Sequence, residues 1–586
     1  MEKLPAETLL LIFNLVNPPI THFDSPWASQ RLHDLFSLSL VCKIFNPIAT
    51  GLLYETIEGV SDTHSIDIYR FSRTTRKHPE LLQHLKILRF KSFVSDERIC
   101  HPYWAFENSR FRSFLDEVFF SDIEDISAKG DPSNKSDTYK GIDTLAVDEG
   151  LEHKADESQQ NDEGEVCDNN FDQNELNLYI AETSWLLNSM KRLASQSKLE
   201  DPIELFRSAR REEDVLLTSK ILQAPNLQYL WYSSRSDLYK CNTHCLLLPC
   251  IGYSVLGAIH NKHHAFNKLR VIHIDLASSG FRFPLIHALP LLLLECLEEL
   301  TLAGWGKGDF FAKDDSTVFG RPWEWPLRAS SIARLSLLRP DACTTMIAKM
   351  ILACKALSRF ELAGHLIDDY IYDGKSRYDL IGSALCEQAD SLTEISTGGP
   401  FDDIQRLDIS GSFHSAVTMT KLTSIRCPLE TLMRHMEHSS LCDAIPPSIE
   451  HLWLELPGDI PDDLDPHFLD IYQRSLQGHF PHLRSIKLSW VSAVEPKYQG
   501  LNLDLLFDLI HLRVLFKTSS ISFDLEIFCC FEEELTPKEY QELCDTFTGE
   551  VTYWTHPEEG SVQMIRASTC ALRPLKDFQE DERNGY

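Results

Sequence analysis

The sequence predicts an α/β chain: a small N-terminal helical block, then an array of short parallel strands joined by helical or looped returns. Three observations carry that prediction. Across Met1–Ile57, apolar side chains recur at three- and four-residue steps, the period of a helix face. Farther along, a unit recurs of one apolar residue, two variable residues, a second apolar residue, one variable residue and a third, mostly apolar one. The stretch between the two patterns is acidic and has no apolar periodicity.

The first block reads as three short helices. Leu4-Pro5 places a proline in a first helical turn, where its missing N–H costs nothing, and Glu7 in that turn suits the positive end of the helix. Leu9, Ile12, Phe13 and Val16 make one stripe, and Asn17-Pro18-Pro19 ends it. Ile20 to Gln30 reads as a polar loop. A second helix is expected with Leu35, Leu38, Val41, Cys42 and Phe45 on a common side, closed or restarted at Pro47. Leu52, Leu53 and Ile57 continue the apolar face after Gly51. So short a bundle has a marginal core and needs a neighbour or a partner.

The order Leu4-Pro5-x-Glu7, Ile12-Phe13, Leu38-x-Leu40-Val41-Cys42-Lys43-x-Phe45 and Leu52-Leu53-Tyr54 resembles an F-box. The stretch Asn17 to Asp34 is longer than the family's usual connection between its first two helices. Apolar pattern alone would favour a helical cap on a larger fold; the ordered combination reverses that preference toward the F-box. The resemblance implies docking on the Skp adaptor of a Skp–cullin–F-box ubiquitin ligase and, through it, on cullin. Its contact residues would be Leu4, Pro5, Leu9, Ile12, Phe13, Leu38, Val41, Cys42 and Phe45, with Glu7 and Lys43 at the rim.

Residues 1–60 are thus read as the F-box and 61–120 as the start of the array. Leu85, Leu88 and Phe90 give its first unit, and the aromatic-rich Arg98 to Phe120 is expected to be a helix packed on it. Residues 121–178 hold 17 Asp and Glu against 4 Lys, a net −13. Few apolar residues are available to offset the entropy of ordering them, so they read as a disordered acidic insertion.

The repeat array is assigned to residues 179–530. Its units run Leu227/Leu230/Tyr232, Leu269/Ile272/Ile274, Leu297/Leu300/Leu302, Ile332/Leu335/Leu337 and Leu357/Phe360/Leu362. They continue as Leu392/Ile395, Leu422/Ile425/Cys427, Ile449/Leu452/Leu454, Leu483/Ile486/Leu488 and Leu512/Leu515. In each, the last pair alternates as a strand does, and the leading residue marks the turn into it. Thr344 to Lys355 and Tyr378 to Gln388 read as helical returns. Steps of about 25 to 42 residues, and the rarity of an Asn after the strand, fit irregular leucine-rich repeats. The architecture expected is a curved solenoid with a parallel sheet on its concave face, capped by residues 531–586, where Glu550 to Thr555 is strand-like.

Composition narrows function. With 56 Lys and Arg against 87 Asp and Glu, the net charge of −31 argues against a nucleic-acid partner, whose affinity depends on basic residues displacing counterions. The longest apolar run, Leu285 to Leu294, contains His287 and Pro290 and is too short for a bilayer span, so no membrane partner is expected. No leader is read in the first residues, and 16 cysteines without paired spacing suggest reduced thiols in cytoplasm or nucleus.

No cofactor or metal is expected. Cys241, His244, Cys245 and Cys250 lack a second pair at zinc-finger spacing, and His260, His263 and His264 read as a polar turn. No phosphate-cradling glycine loop or nucleophile turn appears, so an enzyme is the last-ranked reading. The variable strand positions, Trp231 and Ser233 in one unit and Trp453 and Glu455 in another, are the candidates for contact with an unknown target. The expected function is a substrate-recognition adaptor of the ligase; the alternative is a scaffold that holds the Skp adaptor outside any ligase.

Overall fold

A computed structural model of the chain describes residues 8, 27–41, 43, 45–61, 66–94, 173–202, 212–236, 246–261, 266–276, 285–304, 317–338, 344–363, 376–398, 409–410, 416–433, 440–456, 464–494, 511–531, 551–555 and 563–568. Near the N-terminus lie α1 (Trp27–Val41) and α2 (Phe45–Leu53). The first strands are β1 (Thr56–Ser61), β2 (Ile87–Val94), β3 (Tyr229–Ser236) and β4 (Val271–Asp275). β5 (Glu299–Ala303), β6 (Arg334–Leu338), β7 (Arg359–Ala363) and β8 (Glu394–Thr397) follow. The series goes on through β9 (Ser424–Pro428), β10 (His451–Leu456), β11 (Ser485–Val494) and β12 (Ser522–Phe531). β13 (Val551–Thr555) and β14 (Gln563–Ser568) close the chain's strands.

All of them belong to one 14-stranded sheet. β1 to β12 pair in parallel and in chain order, a 12-strand parallel run. β14 then pairs antiparallel with β12, and β13 pairs antiparallel with β14. The protein is therefore α/β, with strands stacked side by side in the order in which they are made.

The register explains why the apolar pattern folds this way. The middle apolar residue of each unit lies beside its counterpart on the next strand. The row runs Leu88, Leu230, Ile272, Leu300, Leu335 and Phe360 across β2 to β7. It continues through Ile395, Ile425, Leu452, Ile486 and Phe523 to β12. None of these is more than 4% exposed. Burying one such side chain contributes about 1.5–3 kcal/mol, so a continuous row is a large share of the driving force.

The entry to each strand from β2 to β11 repeats one backbone motif. Two successive N–H groups, such as those of Arg270 and Val271, donate to a single carbonyl of the preceding unit, here Gln228. The same fork joins Glu298 and Glu299 to Arg270, Ala333 and Arg334 to Glu298, and Arg484 and Ser485 to Glu450, at 2.8–3.1 Å. The leading apolar residue of these units, 0% exposed at Leu227, Leu269 and Leu297, seats the turn that aims these donors.

Returns cover one face of the sheet. They include α3 (Ile66–Lys77), α4 (Gln173–Ser197), α5 (Glu212–Leu222), α6 (Leu247–Asn261), α7 (Thr344–Ala353) and α8 (Tyr378–Cys386). Single-turn α9 (Leu429–Leu432) and α10 (Leu464–Leu476) continue the layer. Their apolar sides share one core with the sheet's inner rows. β4, β7 and β9 alternate half-buried and buried residues along their length, unlike the continuous apolar runs of parallel strands covered on both faces. Polar side chains therefore line the opposite face.

Several expectations change. Trp27 to Asp34 is helical, so the first turns of α1 occupy what the sequence suggested was loop. α4 begins at Gln173, inside the range assigned to the acidic insertion. Leu512 and Leu515 lie on a helical segment, and the strand of that unit comes later, at β12. β1 lies within the range given to the N-terminal block, yet pairs along β2 as part of the sheet. Arg98 to Phe120 lies outside the described residues.

Candidate functional site

Two surfaces stand out. The first is on the α1–α2 pair. Leu35 and Leu52, 1% and 8% exposed, form a small core with Leu38, Phe45, Ile48 and Leu53 packed around it. Among the described residues this core is separate from the one beneath the sheet. The Asn46 side-chain amide donates to the Ser39 carbonyl at 3.0 Å, tying the start of α2 to the last turns of α1. On the rest of α1, Phe36, Leu40 and Val41 are 53%, 70% and 63% exposed. Phe36 and Leu40 are one turn apart and share a face.

The expected contact residues divide accordingly. Leu38 packs inward, half-buried, and Phe45 opens the second helix rather than continuing the first. Lys43 is exposed in the turn between them. Val41, expected beside Leu35 and Leu38, is instead left in solvent at the helix end. Phe36 and Leu40 were the residues sequence reasoning did not select. Their four-residue spacing on a helix whose opposite side carries Leu35 and Leu38 is the signal that identifies them. Leu4, Pro5, Glu7, Leu9, Ile12, Phe13 and Cys42 lie outside the described residues.

The second surface is the polar face of the sheet. Trp231 on β3 and Trp453 on β10 both point there, alternating with the buried Leu230 and Leu452. The Trp231 ring stacks on His273 of β4, centroids 5.6 Å apart and planes 20° apart. Burial holds the His273 imidazole below its ordinary pKa, against the pull of Asp275 and Glu299, which favours the neutral ring. On β2, Arg89 lies 5.2 Å from the Tyr229 ring centroid.

At the other end, Trp453 is flanked by two cations. Arg426 of β9 sits 3.8 Å, and Lys487 of β11 3.7 Å, from its ring centroid. The indole N–H donates to Ser489 Oγ at 2.5 Å. Each cation is held by a carboxylate. Arg426 Nε donates to Glu455 Oε1 at 2.9 Å, and Lys487 Nζ lies 2.6 Å from Glu526 Oε2. Glu455 and Glu526 are 8% and 3% exposed. Burial pushes the Glu455 carboxyl up to about 7, with Arg426 opposing the shift by charge and hydrogen bond. Ser233, 2% exposed, is too buried to contact a partner, whereas Trp231 is half-buried and within reach.

Gly398, just after β8, makes room for this arrangement. Its φ of +141° lies where L side chains are strained, and a Cβ there would overlap the Glu455 carboxylate. In chemical terms the sheet face offers aromatic edges, fixed cations and buried counter-charges, which is equipment for recognition.

No family model matches the chain, and no curated protein is significantly similar to it in sequence. Among the described residues there is no group of three or more His, Cys, Asp or Glu able to hold a metal ion. Cys241, His244 and Cys245 lie outside them. No described helix is long and apolar enough to cross a membrane.

Proposed function

We propose that this chain is a substrate-recognition adaptor of a Skp–cullin–F-box ubiquitin ligase. In this reading the N-terminal block is an F-box that docks the Skp adaptor. The parallel sheet and its returns form an irregular leucine-rich-repeat solenoid whose polar face receives the target. Ubiquitin transfer belongs to the other subunits, and this chain supplies proximity, which raises the effective concentration of the target.

The observation that carries the reading is the state of α1. Three large apolar residues, Phe36, Leu40 and Val41, stand in solvent on a helix pair with its own small core. Apolar side chains grouped this way mark a surface that a partner covers. Chain-order stacking of parallel strands, with β2 to β11 each entered through the same fork of backbone donors, supports the repeat reading.

Isolation of the tagged full chain from cells tests the assembly. The Skp adaptor and cullin should both co-purify with it, and the Phe36→Asp/Leu40→Asp pair should lose both together. Recovery of the Skp adaptor without cullin would instead favour the scaffold outside any ligase.

A further inference from the structure

The station around Trp453 has a chemistry of its own. It occupies one row of the polar face, where Ser396, Arg426, Trp453, Lys487 and Asp524 lie side by side on β8 to β12. The two carboxylates lie deep and the two cations lie above them: the Arg426 and Lys487 side chains are 27% and 28% exposed, those of Glu455 and Glu526 9% and 4%. The pairs cancel in number, and of these four groups the two cations are the ones that reach solvent, with Asp524 exposed beside Lys487 at the end of the row.

Arg426 is also oriented. Glu455 accepts from its Nε, and its Cζ lies over the Trp453 ring, 3.8 Å from the centroid. Among the described residues neither terminal guanidinium nitrogen has an acceptor. That leaves the end of a fixed, planar fork, a shape that matches a carboxylate bidentately, with a second cation one indole away.

We propose that Arg426, Trp453 and Lys487 form a receptor for the carboxylates of an acidic peptide segment on the target. The proposal rests on the reading of the polar sheet face as the target-binding face. Pre-orientation by Glu455 and Glu526 lowers the entropy lost when the anion is caught, and the indole edge supplies an apolar floor. A single-stranded nucleic acid is the less favoured occupant. Cations from both flanking strands already occupy the indole, so no base can stack on it, and the chain's net charge is −31.

The test is fluorescence anisotropy of labelled hexaglutamate with the intact chain at about 0.1 M salt, where surface charges are partly screened. Labelled hexaserine and oligothymidylate are run beside it. Saturable binding of hexaglutamate and not of hexaserine is expected. Lys487→Gln/Glu526→Gln, and separately the double variant Arg426→Gln/Glu455→Gln, should weaken it about five- to tenfold. Each double variant leaves no unpaired carboxylate where its ion pair was, so its fold is kept. Arg270→Gln, which removes an exposed pair with Glu298, should leave binding unchanged. Equal binding by wild type and either double variant, no preference over hexaserine, or tighter binding of oligothymidylate would each overturn the site. Phe36→Asp/Leu40→Asp acts on a different surface and separates the two readings. A chain that takes hexaglutamate but not the Skp adaptor keeps the receptor and loses the ligase assignment; the converse loses only the receptor.

Discussion

Gly398 and Glu455 occupy one space: the missing side chain of the first is where the carboxylate of the second lies. The glycine is at φ +141°, and its N–H is held by the Leu362 carbonyl at 3.0 Å, so the backbone cannot easily move away. Gly398→Ala therefore adds backbone strain and displaces a buried carboxylate that Arg426 partners. A loss of about 2–4 kcal/mol is expected in urea unfolding. Gly478→Ala, also at positive φ but with open space around it, should lose less, near the strain cost alone of about 1 kcal/mol.

Glu455 also sets a pH dependence. Its folded pKa, about 7, lies above the ordinary carboxylate value, so the folded state holds the proton more tightly than the unfolded one. Stability from this group is fully present below the unfolded pKa and is lost as pH rises through the folded value. Thermal melts should show a decline between about pH 4.5 and 7 that Glu455→Gln flattens. An identical slope in the variant would assign the decline to other groups.

The layer of returns contains a buried pair that is independent of the sheet face. Lys220 Nζ lies 2.7 Å from Glu182 Oε1, joining α5 to α4, and the Ser219 hydroxyl donates to the same carboxylate. The two side chains are 1% and 5% exposed, and burial lowers the Lys220 pKa. Lys220→Met should cost about 3–5 kcal/mol by leaving Glu182 charged and unpaired, while Lys220→Met/Glu182→Leu should recover most of the loss. Guanidinium-chloride titrations of the three proteins make the comparison.

Within the main core, Phe360→Ala opens a void in the middle of the apolar row, between Leu335 and Ile395. Its 0% exposure predicts a loss of about 3–5 kcal/mol on denaturant unfolding. Leu327→Ala, on a side chain 73% exposed, should fall within about 0.5 kcal/mol of wild type.

The parallel sheet was legible because each strand carries its own local signal. Leu-x-x-Leu-x-Leu spacing marks the turn and the two inward positions, and these became the apolar rows from β3 to β11. The rule failed at β12, where Ser520 stands at the position that carries the leading leucine elsewhere. Phe523 and Leu525 alone hold the row there, beside Ile486 and Leu488. It failed likewise at β1, where Gly59 lies opposite Phe90.

The polar face was half legible. Alternation pointed to Trp453 and Glu455, since both follow a buried leucine on the same strand. Arg426 and Lys487 could not be named, because they meet Trp453 only through the register of strands separated by long returns, and Glu526 meets Lys487 in the same way. On α1, Phe36 was not singled out and Leu40 was read only as part of the motif, because the contact residues of that stretch were assigned to one common side. The helix pair instead takes Leu35 and Leu38 inward and leaves the others out.

The most direct measurement of the central claim is calorimetric titration of the purified Skp adaptor into the intact chain and into its Phe36→Asp/Leu40→Asp variant. The small core of α1 and α2 is separate from the main one, so the variant should retain the wild-type main melting transition. Saturable one-to-one binding by wild type is expected, with a loss of about a hundredfold or more in the variant, the scale of removing an interface hot spot. Absence of binding by the wild-type chain, or equal binding by both proteins, would contradict the claim.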